Sequence, residues 1–308
     1  MPQKIAIDAG HGFTKALAGD AQRIFSSLIC PAPSTIDLGE FGAIKPIQID
    51  GQPYLVGEAA RKHATPLWSR DKATDSDTLR LILVAAAMSG AAGPVALATG
   101  LPLSWFGSQR RSFRDALTGY GATIQLPDQA PQRLWIESAL VLPQGLAAAI
   151  PVLAHADREP GGYLVVDIGY RTTDYLIAIK GSDGHLQYDA NAAGSLPLGT
   201  GIVAKTLADV IDTQYQVEFT AAEVEATPSI TIRGQRIDLT QRRHDASGAV
   251  GKQMVRALAH ALGSEIDKLV GILAVGGGSA ILAAAMPGII VPAEPQWANA
   301  QGYWAALG

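Results

Sequence analysis

The sequence has one cysteine, Cys30, among its 308 residues, which excludes an internal disulfide and is typical of a reducing cytoplasm. The six histidines are scattered, and with a single thiol they give no metal-ligand spacing. Basic residues are also few: 24 Lys and Arg stand against 28 Asp and Glu, for a net charge of −4. We therefore expect no direct binding of nucleic acid, which needs a basic surface.

Long apolar segments are also missing. Residues 81–103 carry no charge, but Gly90, Gly93 and Pro94 divide them into a predicted helix and a predicted strand. No apolar segment precedes the first predicted strand at Lys4, so no signal peptide is expected. The sequence predicts a cytoplasmic protein without a membrane partner.

Several common catalytic motifs are absent. The only Gly-Lys pair, Gly251-Lys252, is followed by Gln253, so there is no Walker loop. No G-x-G-x-x-G opens a helix after a strand, and no G-x-S-x-G elbow occurs. These absences exclude P-loop, dinucleotide-binding and serine-hydrolase sites of the usual kind.

Two segments that share one template stand in this otherwise plain sequence. They are Ile5–Lys15 (IAIDAGHGFTK) and Leu164–Asp174 (LVVDIGYRTTD), and their aspartates are 159 positions apart. Each reads as an apolar strand ending in Asp, then D-x-G-x-x-x-T, then a returning strand. Because about half of the chain separates them, they predict two related halves.

The template suggests a chemistry for both bends. A strand that turns back through Gly presents backbone N–H groups that bind anions, and carboxylates suit the water shell of Mg²⁺. Two ordinary hairpins with Asp and Gly in tight turns would have the same pattern. A third segment, Leu273–Leu282 (LAVGGGSAIL), reads as a strand, a triple-Gly turn and a helix start. Gly leaves room there for a flat ring to pack on the backbone.

With these motifs the chain resembles the actin-like ATPase superfamily, and within it the bacterial ParM-type (StbA-like) plasmid-segregation actins. Asp8–Lys15 resembles the first phosphate loop, D-x-G-x-G-x-x-K, the Asp167 hairpin resembles the second, and Val275–Ala280 resembles the adenosine loop. Three further segments carry the resemblance: Ala98–Ser104, Val141–Ala148 and Trp297–Tyr303.

The fold expected from strands alternating with helices is of the α/β class. The resemblance implies an actin-like (ribonuclease H-like) two-domain ATPase fold with the nucleotide in the interdomain cleft. We predict domain I at residues 1–158 plus 290–308, and domain II at residues 159–289. Small insert subdomains are expected at about 31–72 in domain I and about 206–245 in domain II. Ile47–Val56 reads as a hairpin around Asp50-Gly51, and residues 108–119 read as a helix opened by Ser108. The resemblance implies that the Ile47–Val56 hairpin makes the longitudinal filament contacts.

The resemblance also assigns the phosphate contacts. In the first loop, the amides of four residues would face the β- and γ-phosphates and Lys15 would reach a phosphate oxygen; the four are Gly10, His11, Gly12 and Phe13. His11 replaces a serine of actin, and it can donate to the phosphate or swing out. The second turn comprises Gly169, Tyr170, Arg171 and Thr172. Arg171 either adds charge at the γ-phosphate or pairs with a surface acid.

The catalytic and metal-binding residues are expected to be three. Asp8 and Asp167 would hold Mg²⁺ through water, unless they only cap turns. Gln144 stands where ParM-type proteins have Glu and actin has Gln. Because Gln does not accept a proton at neutral pH, it would orient the attacking water; a polar helix-start residue is the alternative.

On the nucleoside side, the adenosine loop contributes Gly276, Gly277 and Gly278, and the turn at Gly199 leads into a predicted helix. Lys205, one turn into that helix, would contact the ribose or base, or would simply be an exposed lysine.

Three function classes follow from the resemblance. The first is a filament-forming ATPase that converts ATP to ADP and phosphate with Mg²⁺. Its subunits would add head to tail, and a DNA-binding adaptor on a plasmid centromere would link the filament to plasmid DNA. The second is a small-molecule kinase, for which no acid stands at position 144 to act as the base. The third is a chaperone-type ATPase, whose peptide-binding domain would have to follow residue 308. We favour the first.

Overall fold

The computed structural model describes residues 1–33, 45–64, 71–155, 157–225 and 227–308, and the side chains of residues 190 and 191 are outside the description. The described chain forms two compact units, Met1–Pro151 with Asn299–Gly308, and Val152–Ala298. The chain thus passes from unit 1 to unit 2 after residue 151 and returns after residue 298. The domain boundaries predicted from the sequence lie after residues 158 and 289.

The described part of unit 1 contains a nine-stranded sheet, in the order β3-β2-β1-β7-β9-β8-β5-β6-β4. Strand β1 is antiparallel to β2 and parallel to β7, which is parallel to β9. The strands are β1 (Gln3–Ala9), β2 (Phe13–Ala18), β3 (Ala21–Ser26), β4 (Ile29–Pro31), β5 (Ile47–Ile49), β6 (Gln52–Val56), β7 (Gly93–Leu101), β8 (Gly121–Gln125) and β9 (Gln132–Pro143).

The described part of unit 1 also contains four α-helices. They are α1 (Ser76–Met88), α2 (Leu103–Leu117), α3 (Leu146–Leu153) and α8 (Ala298–Ala306). Helix α3 runs two residues past Pro151, and α8 begins one residue before Asn299, where the chain returns to unit 1. Helix α1 begins where the Asp75 side chain accepts from the Asp77 amide, a usual N-cap. Its residues Leu81–Ala85 are fully buried in the core, together with β1 and β7.

The predicted insert of domain I, about 31–72, lies partly outside the described residues, at 34–44 and 65–70. Its described strands β4, β5 and β6 extend the nine-stranded sheet rather than forming a separate one. Strands β5 and β6 form the hairpin predicted around Asp-Gly, because Asp50 (φ 49°) and Gly51 (φ 79°) both adopt the left-handed conformation of a tight hairpin turn. Tyr54 of this hairpin lies half-buried under the Arg80 guanidinium, 5.3 Å from the ring centre.

Unit 2 repeats the strand order of unit 1. Its four-stranded sheet has the order β12-β11-β10-β15, with β10 antiparallel to β11 and parallel to β15, as β1 is to β2 and β7. The elements of unit 2 are β10 (Gly161–Ile168), β11 (Thr173–Lys180), β12 (Leu186–Leu196), α4 (Gly201–Tyr215), α5 (Ala221–Glu225), β13 (Ser229–Ile232), β14 (Gln235–Asp238), α6 (Thr240–Leu262), β15 (Gly271–Val275) and α7 (Ser279–Ala285). The repeated order agrees with the two related halves predicted from the template.

A second, smaller core lies in unit 2. Helices α4 and α5 and the hairpin β13–β14 bury Leu207, Ile211, Val224 and Leu239 together. These elements cover nearly the same residues as the predicted insert at about 206–245.

Some details of the elements differ from the sequence prediction. Helix α2 begins at Leu103 rather than Ser108, and the Pro102 carbonyl accepts a hydrogen bond of its first turn, from the Phe106 amide at 3.0 Å. Strands β3 and β12, which complete each hairpin to three strands, carry no clear alternation of apolar residues and were not predicted. No helix within the described residues is long and apolar enough to cross a membrane.

Candidate functional site

The first bend, between β1 and β2, places Asp8 at the centre of a small polar group. Asp8 is 3% exposed and pairs in register with Lys15, whose Nζ lies 2.8 Å from Asp8 Oδ2. The other carboxylate oxygen, Oδ1, accepts a hydrogen bond from Gln144 Nε2 at 3.0 Å. Both oxygens of this buried carboxylate are therefore engaged by residues that the sequence assigned to the site.

Hydrogen bonds around the bend hold its backbone. The Gly10 amide donates to the Phe13 carbonyl at 3.1 Å, and the Ser27 amide donates to the Gly12 carbonyl at 2.9 Å. The Thr14 and Ser27 hydroxyls, both buried, share a hydrogen bond of 2.8 Å. A Cβ at Gly10 would lie only 3.1 Å from the Phe13 oxygen, so Gly allows the tight turn.

Lys72 is a residue of this group that the sequence analysis missed. Its side chain is 4% exposed, and its Nζ donates to the Ala9 carbonyl at 2.7 Å. Burial lowers the pKa of Lys72 to about 8, although the Asp8 and Asp75 carboxylates raise it and Lys15 lowers it further. Lys72 stands in an ordinary polar stretch, DKATD, and no sequence signal separates it from a solvated lysine.

His11 lies against an aromatic ring of α2. Its imidazole meets Trp105 edge to face, with ring centres 5.9 Å apart and an interplanar angle of 83°. No sequence signal marks Trp105, which precedes the basic residues Arg110 and Arg111 of α2. The choice between a phosphate contact and a turned-away His11 stays a prediction to be tested.

Gln144 lies in the turn between β9 and α3, two residues before the helix rather than within it. The backbone N–H of Gln144 donates to the Leu101 carbonyl at 2.8 Å, and the backbone N–H of Gly145 donates to Asn299 Oδ1 at 3.0 Å. Gly145 has φ 75°, a conformation that side-chain-bearing residues rarely adopt. Asn299 of the closing N-x-x-G-Y segment thus holds the turn that carries Gln144.

The second bend, between β10 and β11, repeats the first in its hydrogen bonds. The Gly169 amide donates to the Thr172 carbonyl at 2.9 Å, the counterpart of Gly10 and Phe13. The last residue of the template, Thr173, is buried like Thr14, and its hydroxyl donates to the Leu198 carbonyl at 2.5 Å. The D-x-G-x-x-x-T template therefore has the same structure in both units.

The two bends differ in the residue opposite the aspartate. Asp167, which is 9% exposed, pairs in register with Asp174, at the position that Lys15 has in unit 1. Burial raises the pKa of Asp174, against the lowering effect of a hydrogen bond with Ser195. Within the described residues, Asp174 Oδ1 is buried without a hydrogen-bond partner.

The triple-Gly turn packs directly on the second bend. A Cβ at Gly276 would lie 2.6 Å from Asp167 Oδ1, and one at Gly278 would clash with the Ile168 side chain. The Gly278 amide donates to the Ile168 carbonyl at 3.1 Å. Gly277 is different, since a Cβ added there would meet only Gln296 atoms at 3.9 Å. Two of the three glycines are therefore needed for packing against the hairpin, a reason that the sequence analysis did not give.

The start of α4 also packs on this bend. The Thr200 amide donates to the Gly169 carbonyl at 3.0 Å, and the Gly201 amide donates to the Tyr170 carbonyl at 2.9 Å. A Cβ at Gly199 would clash with the Tyr170 oxygen. Lys205, one turn further along α4, is exposed.

Each unit thus gathers most of its predicted site residues. Unit 1 brings together Asp8, the bend Gly10–Phe13, Lys15 and Gln144. Unit 2 brings together Asp167, the bend Gly169–Thr172, Gly199 and the triple-Gly turn Gly276–Gly278. Lys205 is the exception, because nothing in the contacts of α4 links its side chain to the bend.

The carboxylates can be tested for metal binding on their surroundings. No group of three or more His, Cys, Asp and Glu side chains that could hold a metal occurs in the part of the chain that the structure describes. Asp8 already has a cationic partner in Lys15, whereas Asp167 lies beside an acid with an unsatisfied oxygen. A carboxylate such as that of Asp167 is the kind of ligand that hydrated Mg²⁺ prefers, whereas Asp8 would first have to give up its pairing with Lys15.

Comparison with known families covers most of the chain. Residues 6–146 match the family described as "Actin like proteins N terminal domain", and residues 165–287 match "Archaeal actin homologue MreB-like, C-terminal". The chain belongs to the actin-like protein family. Among curated relatives of this actin-like protein is an archaeal actin homolog of Thermoplasma acidophilum, 26% identical over 97% of both chains. Another, from Thermoplasma volcanium, is 25% identical over the same shares.

Solved structures agree with the predicted fold of this actin-like protein. A crystal structure of an archaeal actin homolog has a TM-score of 0.85 at 23% identity, over 99% of this chain and 98% of that one. A complex of an archaeal actin homolog with ADP has a TM-score of 0.82 at 23% identity, over 99% of both chains. A 15-stranded ParM filament from Clostridium botulinum has a TM-score of 0.82 at 20% identity, over 99% of this chain and 98% of that one. The actin-like two-domain α/β fold is confirmed, whereas the ParM type and a bacterial origin stay predictions.

Proposed function

We propose that this actin-like protein is a filament-forming ATPase that binds ATP with Mg²⁺ and hydrolyses it to ADP and phosphate. The observation that carries the proposal is the repeated bend, in which Asp is the penultimate residue of a strand and a Gly amide donates to the carbonyl three residues on, in both units. The ADP complex of the archaeal relative supports nucleotide binding, and the ParM filament supports self-assembly.

Phosphate binding in this proposal falls to the bends. The amides of His11, Gly12 and Phe13 would meet the β- and γ-phosphates, with Lys15 moving from Asp8 to a phosphate oxygen. The Gly10 amide, also predicted as a phosphate donor, instead donates to the Phe13 carbonyl within the bend. The turn Gly169–Thr172 would bind the phosphates from unit 2, and the turns at Gly199 and Gly276–Gly278 would border the nucleoside, with Lys205 as a ribose or base contact. Backbone amides of such bends favour anions because their dipoles converge.

Hydrolysis would depend on Gln144. Since its Nε2 donates to Asp8, its side-chain oxygen is the group that can accept a hydrogen bond from the attacking water. Holding that water in line with the γ-phosphate is catalysis by positioning. Mg²⁺, organised through water by Asp8 and Asp167, would neutralise charge that develops on the phosphate oxygens.

Filament formation would proceed by head-to-tail addition, a type of contact that does not close and therefore extends. We further propose that the filament segregates plasmid DNA through a DNA-binding adaptor bound at a plasmid centromere. The net charge of −4 supports the need for such an adaptor, because the chain itself has no excess of basic residues.

The deciding experiment is light scattering of the purified protein with ATP–Mg²⁺, with ADP–Mg²⁺ and with ATP in excess chelator, together with phosphate release. A rise in scattering that needs ATP–Mg²⁺, followed by phosphate release, supports the filament-forming ATPase. Phosphate transfer to a small molecule without any rise would instead favour the kinase of the same superfamily.

A further inference from the structure

In the two bends, equivalent backbone carbonyl oxygens accept hydrogen bonds from different kinds of donor. In each template the carbonyl before the first Gly needs a hydrogen-bond donor from outside the hairpin. At the second bend this carbonyl, that of Ile168, accepts from the Gly278 amide at 3.1 Å. At the first bend the equivalent carbonyl, that of Ala9, accepts from the Lys72 ammonium at 2.7 Å.

This contact fixes one peptide plane at both ends. The carbonyl of the Ala9–Gly10 peptide is held by Lys72, and its N–H is held by the Phe13 carbonyl at 3.1 Å. A peptide group is rigid, so two hydrogen bonds on opposite sides determine its orientation. The orientation of the next amides, those of His11 and Gly12, follows from that plane.

A lysine is a costly donor for this purpose. The second bend uses a neutral amide, so holding the carbonyl does not in itself require a charge. Lys72 is 4% exposed, and burial of an ammonium is unfavourable, as the lowering of its pKa to about 8 indicates. The charged groups that act on it are Asp8 of β1, Lys15 of β2 and Asp75 before α1. The charge of Lys72 thus adds positive potential at the bend where an anion is expected.

We propose that Lys72 is a positioning residue of the first phosphate hairpin: it orders the Ala9–Gly10 peptide before the nucleotide binds, and its charge favours the triphosphate over the diphosphate. The proposal deepens the proposed function and rests on it for the nucleotide, but the ordering of the bend is a property of the free protein. Lys72 acts through the backbone peptide and through its charge, and it is not assigned a contact with the reacting atoms.

The experiment compares Lys72→Met, which removes the donor and the charge, with Lys180→Met. Lys180 is the matched control because it is 5% exposed and also donates to backbone carbonyls, those of His155 at 2.6 Å and Arg158 at 2.8 Å. Two quantities are measured: hydrogen exchange of the Gly10 amide in the nucleotide-free protein, and the affinities for ATP–Mg²⁺ and ADP–Mg²⁺ by competition with a fluorescent nucleotide.

Lys72→Met should speed exchange of the Gly10 amide and lower the ATP to ADP affinity ratio, each by about tenfold, as expected for one hydrogen bond with a charged group. Lys180→Met should leave both unchanged. Lys72→Gln, a neutral donor, should keep the slow exchange of Gly10 but still lose the preference for ATP. This variant decides the matter if Lys72→Met does not fold.

Two results would overturn the inference. The first is Gly10 exchange in Lys72→Met at the wild-type rate, which needs no nucleotide to be observed. The second is an ATP to ADP affinity ratio that is unchanged in both Lys72 variants while the wild type binds ATP. A wild type that binds no nucleotide would contradict the proposed function instead, and the exchange of Gly10 would still decide the ordering of the bend.

Discussion

The substitution Gln144→Ala tests the proposed mechanism most directly. It removes the 3.0 Å hydrogen bond to Asp8 Oδ1 and the side-chain oxygen proposed to hold water. A hydrogen bond to a charged group contributes about 1.5–3 kcal/mol to stability. Because Lys15 still pairs with Asp8 Oδ2 at 2.8 Å, the carboxylate keeps a partner and we expect the lower figure. That loss corresponds to a decrease in Tm of about 3–6 °C for a unit of this size.

The effect on hydrolysis should exceed the effect on stability. Misplacing a reacting group by about 1 Å costs on the order of 10²-fold in rate, and an unheld water is displaced at least that far. We therefore expect turnover to fall about 100-fold, which equals about 2.7 kcal/mol of transition-state stabilisation. ATP binding should be unchanged, since Gln144 is not among the proposed phosphate contacts.

The assay follows phosphate release and light scattering on one sample through assembly and disassembly. With Gln144→Ala, scattering should rise as in the wild type and then persist, because the filament stays in its ATP form. The control is Gln125→Ala, which removes the exposed hydrogen bond that Gln125 Nε2 donates to the Gln129 carbonyl at 3.2 Å. This change should alter neither phosphate release nor scattering. Wild-type phosphate release with normal disassembly in Gln144→Ala would refute the reasoning and shift the water-holding role to an aspartate.

Three further changes test other parts of the site. Asp167→Ala should nearly abolish phosphate release with little change in the melting curve; turnover within a few-fold of the wild type would show that Asp8 and Asp167 are not the metal site. Gly278→Ala puts a methyl group against Ile168 and should lower stability by about 1–3 kcal/mol, whereas Gly277→Ala, with open space around it, should be near neutral in the same denaturant titration. Gln52→Arg, at an exposed position of the β5–β6 hairpin, should block the ATP-dependent rise in scattering but leave ATP affinity intact, and normal assembly would put the filament contact elsewhere.

The parts that could be predicted from the sequence are those with a local cause. The template D-x-G-x-x-x-T indicated both bends because its Gly permits the tight turn, in which the Gly10 and Gly169 amides donate to carbonyls three residues further on. The Asp-Gly pair at 50 and 51 predicted its hairpin for the same reason. Such signals need only neighbours along the chain.

The parts that could not be predicted depend on contacts distant in sequence. Lys72 lies 63 positions from Ala9, and nothing in its own neighbourhood distinguishes it from a surface lysine. The glycines at 276 and 278 were noticed as a motif, but the reason for them became clear only when the structure placed them against Asp167 and Ile168. Asn299 likewise gained a role only through its bond to Gly145, 154 positions earlier.

The return of the chain to unit 1 has a consequence for its synthesis. Tyr303 is fully buried in unit 1, packed so closely on Gly100 that a Cβ there would clash with its ring. A Cβ at the neighbouring Gly302 would clash with the Ala147 carbonyl. A ribosome delivers Asn299–Gly308 only after all of unit 2, so the earlier part of unit 1 must wait with that niche unfilled. Unit 2 is continuous in sequence and has no such delay. Unit 1, although most of it is synthesised first, therefore cannot complete its packing until the whole of unit 2 has been made.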